Sequence, residues 1–149
     1  MTDALRLGIA LVEPWAAELF VKVSVDGFAG HGVAWFDPQQ LRDLAAQLGQ
    51  AFPLNETLAV QGGQLGQNLS DPEEALVGLS FYPVAGRGVL GCRVRLRGDS
   101  RDFWERPQAR PVLEVELLSS YQALQAFARD LVQLADGQLG EAVLHAACP

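Results

Sequence analysis

Apolar and polar residues alternate along several short stretches of the chain, which is the period of a strand with one buried face. The clearest stretch is 89–97 (VLGCRVRLR), in which arginines alternate with apolar positions. Weaker alternation or a short apolar run marks six further segments, namely 5–13, 19–26, 31–36, 57–62, 75–82 and 112–118. The pattern therefore predicts a sheet of about six to seven strands.

Two segments have the 3.6-residue period of an amphipathic helix instead. The first is predicted over 38–51, because Asp37 can accept from free backbone N–H groups and proline fits the first helical position. The second is predicted over 121–136, with Ser119-Ser120 as its cap and Gly137 as its stop signal. The apolar stripes are Leu41, Leu44, Leu48 and Phe52 in the first helix, and Leu124, Phe127, Leu131 and Leu134 in the second.

The order of these elements favours an α+β fold. Successive strands joined by tight turns, such as the turn predicted at Asp26-Gly27, are typical of an antiparallel meander. Each helix has one apolar stripe, so we expect both helices to pack on one face of a single sheet whose other face meets solvent. We find neither an internal sequence repeat nor a linker, and residues 1–149 are predicted to form a single domain.

Composition narrows the function classes. The chain is 49% hydrophobic, which argues against disorder, and its net charge of -7 argues against nucleic-acid or anionic-membrane binding. No apolar stretch reaches the ~20 residues of a transmembrane helix, and no secretory signal is recognisable. Two cysteines make no disulfide framework in a chain this long. We therefore expect a cytoplasmic protein, and ten arginines against one lysine favour a GC-rich bacterial source.

The charges are unevenly distributed. The net charge is -7 over residues 1–80, +4 over residues 81–112 and -4 over residues 113–149. If part of the arginine-rich segment pairs with Glu114 and Glu116, the acidity available to a basic partner is expected mainly in the first 80 residues.

The arginine-rich segment 87–110 has two interpretations. Arg93, Arg95 and Arg97 share the predicted outer face of one strand, and Glu114 and Glu116 have the same spacing on the next strand. Opposite charges at such cross-strand positions stabilise a wet sheet face, so a ladder of ion pairs is expected. A functional patch on the same arginines is the alternative.

Two predicted loops contain candidate partner-binding residues. Asp71, Glu73 and Glu74 lie together on an acidic loop, where a purely solvated role is the alternative. Phe103 and Trp104 form an aromatic pair within an otherwise charged loop, which either anchors that loop or anchors a partner.

No catalytic motif is found, and we expect a protein without enzymatic activity, metal or cofactor. His31 and His145 are the only histidines, and neither has the spaced partners of a metal site. A small-molecule site or an enzyme cleft between the sheet and the loops is the alternative. It would use Asp26, His31, Arg93 and Arg95, which all lie on predicted strands or hairpins.

The stretch DGFAGHGVAWFDPQQLRDLAAQL (26–48) has the pattern G-F-x-G-x-G-x-x-W-F-D followed by an amphipathic helix. A strand followed by a helix recurs near the end of the chain. Together these features resemble small bacterial Wap-type immunity proteins and related α+β domains. The resemblance implies a cytoplasmic protein that binds and neutralises a cognate toxin, and it supplies no catalytic residues.

Three functions are therefore expected in order. The first is a non-enzymatic protein-binding module, with a basic toxin domain as the partner that an acidic protein would attract. The second is the small-molecule-binding domain or enzyme described above. The third is a structural homodimer in which an exposed strand edge pairs across a two-fold axis.

Overall fold

The computed structural model describes residues 3–13, 15–50, 54–64, 74–84, 88–98, 109–138 and 140–147. Within these residues the chain has an α+β fold, as predicted, with eight strands and two helices. The elements are, in chain order, β1 (Ala4–Glu13), β2 (Ala16–Val25), β3 (Phe28–Phe36), α1 (Pro38–Gln50), β4 (Leu58–Gly62), β5 (Val77–Pro83), β6 (Val89–Arg97), β7 (Val112–Ser120), α2 (Tyr121–Ala135) and β8 (Ala142–His145).

The strands form two antiparallel sheets of four, so the prediction of a single sheet of six to seven strands is wrong. Sheet A has the order β3-β2-β1-β8, and sheet B has the order β4-β5-β6-β7. Alternation along a strand indicates which side is buried, but it does not indicate which strand lies beside it. The short strand β8, which buries Ala142 and Leu144, has no counterpart among the predicted strands.

Strand β3 links the two sheets. Leu113 of β7 packs against Gly30, and Leu96 of β6 packs against Gly32. The end of β3 then bridges to Gly63, directly after β4. β3 therefore runs across the strands of sheet B rather than along them, as in orthogonal sheet packing. The two glycines permit this close approach because they have no side chain on the inner face.

The two helices close the space between the sheets. Helix α1 packs against α2 and β4, whereas α2 also packs against β8, β1 and β7. The helices therefore contact both sheets, which corrects the expectation that they cover one face of one sheet. None of the helices in the described ranges is long and apolar enough to cross a membrane.

Both helices begin at the predicted residues. The Asp37 carboxylate accepts a hydrogen bond from the Gln39 N–H at 2.9 Å, and the Ser120 hydroxyl accepts one from the Ala123 N–H at 3.1 Å. Gly137 has a φ of +76° just past α2, as its predicted role as a stop signal requires. The predicted stripes are buried in both helices, apart from Phe52, which lies outside the described residues.

The chain consists of two topologically similar halves. Each has three strands followed by a helix, β1-β2-β3-α1 and β5-β6-β7-α2. The strand after each helix, β4 or β8, pairs with the first strand of the other half. The five buried residues of α1 also recur as buried residues of α2 at positions 83 residues later, namely Pro38 and Tyr121, Leu41 and Leu124, Leu44 and Phe127, Ala45 and Ala128, and Leu48 and Leu131.

Candidate functional site

A cleft of about 820 Å³ lies between the outer edge of β3 and the strand ends of sheet B. Leu96 and Leu113, which pack against β3, form its apolar floor. Leu76, Arg97 and Val112 lie at the facing strand ends. The remaining lining residues in the described ranges are Glu18, residues 29–35, Gly63, Gln64, Gly98 and Pro111.

The edge of β3 turns backbone hydrogen-bonding groups toward this cleft. The Trp35 N–H points away from β2, because it donates to the Gly63 carbonyl at 2.8 Å. Backbone groups alternate in direction along a strand, so the N–H and C=O groups of Ala29, His31 and Val33 point the same way. Within the described ranges, β2 is the only strand that pairs with β3 along this length. Among the described residues, these groups therefore have no strand partner.

Arg97 lies at the end of β6, beside the cleft. Its backbone N–H donates to the Leu76 carbonyl at 2.9 Å, which fixes the end of β6 against the start of β5. Its Nε atom is buried and has no hydrogen-bond partner within the described chain. In the register Arg97 lies opposite Val112, so it has no glutamate opposite it as Arg93 and Arg95 have. Arg93 and Arg95 line a different cleft, of about 530 Å³, on the outer face of sheet B.

The outer face of sheet B contains ion pairs of the predicted ladder. The Arg93 guanidinium lies 3.7 Å from the Glu114 carboxylate and 3.4 Å from that of Glu116. Strand register places Arg95 directly opposite Glu114. Tyr82 donates its hydroxyl hydrogen to Glu116. Burial, together with the hydrogen bond to Glu116 and the charge of Glu116, raises the pKa of Tyr82 to about 12.

The four residues of the predicted small-molecule site do not come together in either cleft. His31 is exposed and lines the cleft beside β3, whereas Arg93 and Arg95 line the cleft on sheet B. Asp26 lines neither cleft. It lies in the β2–β3 turn with a φ of +51°, and its backbone N–H donates to the Asp3 carboxylate at 3.2 Å.

The predicted partner-binding residues are only partly described. Glu74 is exposed just before β5. Asp71, Glu73, Phe103 and Trp104 lie outside the described residues. The described residues contain no group of three or more His, Cys, Asp or Glu side chains that could hold a metal ion.

Sequence reasoning missed the edge of β3. One signal was available, because Gly30 and Gly32 alternate on a strand, and strand glycines often mark a close approach of another chain segment. The segment that approaches is sheet B, and the cleft opens beside that contact. Comparison with known proteins adds nothing here, because no family model, curated protein or solved structure matches the chain.

Proposed function

We propose that this protein is a non-enzymatic binding module that takes an extended segment of a partner polypeptide as an added strand beside β3. The observation that supports it is the row of backbone groups at Ala29, His31 and Val33, which point into the cleft and have no strand partner among the described residues. A free strand edge pairs readily with another extended chain, because every N–H and C=O then finds a partner.

The surroundings of the edge also suit an extended polypeptide. Side chains of an added strand point alternately to the two faces of the sheet. On the inner side they would meet the apolar floor of Leu96 and Leu113. On the outer side they would continue the face of sheet A, where Val33 lies opposite Phe20, a phenylalanine that is 41% exposed.

The resemblance to immunity proteins extends this proposal. The partner is then a bacterial toxin domain, and the protein acts in the cytoplasm by occupying a segment that the toxin needs for its activity. A net charge of -7 would steer a basic toxin domain toward the protein before the strand docks.

Strand addition is tested by removing one backbone donor. The Val33 N–H points away from β2, so Val33→Pro removes a donor from the free edge while the β2–β3 hydrogen bonds stay intact. Short random peptides displayed on phage are selected against the wild-type protein. We expect the enriched peptides to lose binding to Val33→Pro and to keep it with the matched control Val33→Thr, which retains the N–H.

Amide hydrogen exchange of the complex gives an independent result. An enriched peptide should slow exchange at His31 and Val33 and leave the amides of sheet B unchanged. Failure to enrich any peptide, or binding that Val33→Pro does not weaken, would overturn the proposal. So would a dimer in light scattering that Val33→Pro dissociates, because the edge would then be occupied by a second copy.

The toxin assignment has a separate test. The adjacent gene is expressed in a host with and without this protein, and co-purification is measured with Val33→Pro as the comparison. Toxicity that this protein relieves supports the assignment. A harmless neighbouring gene product would remove the toxin assignment and leave strand addition standing.

A further inference from the structure

We infer that the segment docked beside β3 carries an acidic side chain opposite His31, on the outer face of sheet A, where it meets a row of basic residues. This inference rests on the proposed function and adds to it the chemistry of the ligand. Its basis is the juxtaposition of that row with the free edge. Arg6 lies opposite Lys22, and Lys22 lies opposite His31, in the register of β1, β2 and β3.

The side chains of this basic row lie on the outer face of sheet A, which faces away from sheet B. Arg6, Lys22 and His31 are all exposed. The residues that flank the row in β1 and β2 are buried, namely Leu5, Leu7, Val21 and Val23. In β3 both neighbours of His31 are glycines that face sheet B, so His31 points the opposite way. The row therefore ends at the free edge, where an added strand would continue it.

Two members of the basic row have no acidic partner among the described residues. Arg6 pairs with Glu141 at 3.1 Å, but Lys22 and His31 make neither an ion pair nor a side-chain hydrogen bond within the described ranges. Glu18, the other charged residue of β2, lies four residues from Lys22, about 13 Å along the strand. Like charges directly opposite each other, as in Arg6 and Lys22, are unfavourable. An acid on the added strand would offset that repulsion.

A side chain opposite His31 can reach both of these residues. In an antiparallel addition the docked residue opposite His31 exchanges backbone hydrogen bonds with it, and the two Cβ atoms lie about 5 Å apart. The His31 ring has an N–H donor in either protonation state. Lys22 lies two strand spacings from the docked backbone, about 10 Å away, and its flexible four-carbon stem lets the ammonium group approach the added carboxylate.

The register also predicts the neighbour of the acid. Side chains on one face of a strand are two residues apart, and Val33 lies opposite Phe20 in the next row of the outer face. We therefore expect an apolar residue two positions before the acidic one in an antiparallel segment. One acidic side chain is compatible with a partner domain that is basic overall, because net charge governs the approach and the basic row governs one contact after docking.

The test exchanges the charges of the basic row and the peptide. Peptides enriched against the wild-type protein are synthesised with amidated C-termini, so that only side-chain carboxylates are tested, and are titrated by fluorescence anisotropy. Lys22→Glu should weaken the binding of an acid-bearing peptide by about 3- to 10-fold, because an exposed ion pair is weak and the reversal adds repulsion. The same peptide with lysine in place of the acid should bind Lys22→Glu more tightly than wild type.

The matched control is Arg129→Glu, which makes the same change in net charge at an exposed position of α2. It should leave the affinity of both peptides within about twofold.

A second measurement uses the wild-type protein. Lys22 is the only lysine of the chain, so acetylation of lysine by acetic anhydride, located by mass spectrometry, reports on this residue alone. At saturation, the acid-bearing peptide should slow this acetylation more than its counterpart with the acid changed to the amide, because β2 lies one strand inside the docking edge and only the ion pair engages Lys22.

The outcomes separate this inference from the proposed function. Enriched peptides that lack an acidic residue, or whose affinity Lys22→Glu and Arg129→Glu change equally, would overturn the inference while strand addition stands. Equal protection of Lys22 by the acid and amide peptides would overturn it as well, and this readout does not depend on the folding of a variant. Binding that Val33→Pro does not weaken would remove both proposals.

Discussion

Individual glycines decide how closely the two sheets approach. Gly62 lies at the end of β4, where a Cβ atom would be 2.5 Å from Cε1 of Phe36 and 2.7 Å from the carbonyl oxygen of Trp35. Backbone cannot move aside as a flexible side-chain tip can, so the contact between β3 and β4 depends on this glycine. At Gly30, by contrast, the nearest atom is the mobile Cδ2 of Leu113, at 2.7 Å.

We predict that Gly62→Ala destabilises the protein by about 1–3 kcal/mol, since the added methyl forces a shift of packed atoms. The matched control is Gly49→Ala in α1, where the nearest atom to the new Cβ would be 3.9 Å away, on Ala128. That change should stabilise by roughly 0.5–1 kcal/mol, because alanine loses less conformational entropy in a helix. Denaturant unfolding measures both, and a Gly62→Ala protein as stable as wild type would contradict the prediction.

At the scale of strands and helices, the sequence predicts which side of each element is buried better than it predicts which elements lie beside it. The alternation over β6 correctly places Leu90, Cys92, Val94 and Leu96 in the core. Alternation cannot show which of the two sheets a strand belongs to, because the strand buries the same face in either sheet. The candidate site was missed for this reason, because a strand edge is created by topology.

Sheet B gives a prediction about pH. The hydroxyl of Tyr82 is held neutral by burial and by Glu116, and its pKa rises from 10.0 to about 12. An unfolded tyrosine ionises near 10, so this contribution to stability is complete below pH 10 and is lost as the pH rises toward 12. We expect wild type to lose stability more steeply than Tyr82→Phe over that range.

Spectroscopy checks the same group directly. The difference in phenolate absorbance between wild type and Tyr82→Phe should titrate with a midpoint near 12. The charge of Arg93 acts in the opposite direction and lowers the pKa of Tyr82, so Arg93→Gln should move the midpoint higher. A midpoint near the ordinary value in the folded protein would contradict both the burial of the Tyr82 hydroxyl and its hydrogen bond to Glu116.

For the whole molecule, the two halves explain why one continuous core includes residues from both sheets and both helices. Each half lends its last strand to the other half's sheet, so neither sheet is complete without the other half. The halves differ in what they leave exposed, because the edge of β3 opens into the cleft beside sheet B. The binding function proposed for this edge therefore belongs to one half, although both halves build its walls.

Because the halves exchange strands, we predict that their order along the chain can be reversed. The Ala146 N–H donates to the Asp3 carbonyl at 3.2 Å, so a short linker can join the two ends of the described chain. A circular permutant whose new ends lie between Gln64 and Glu74 keeps every strand pairing. Its linker connects β8 to β1, two paired strands, just as the native chain connects the paired strands β4 and β5.

We expect this permutant to unfold in one cooperative transition, measured by circular dichroism and by tryptophan fluorescence on the same sample. The control is a permutant opened between Cys92 and Arg93, which cuts β6, an inner strand of sheet B paired on both sides. It should fail to fold, because both ladders lose their continuity at a buried position. If the first permutant also failed, the native connection between β4 and β5 would be essential, and the two halves could not be treated as exchangeable units.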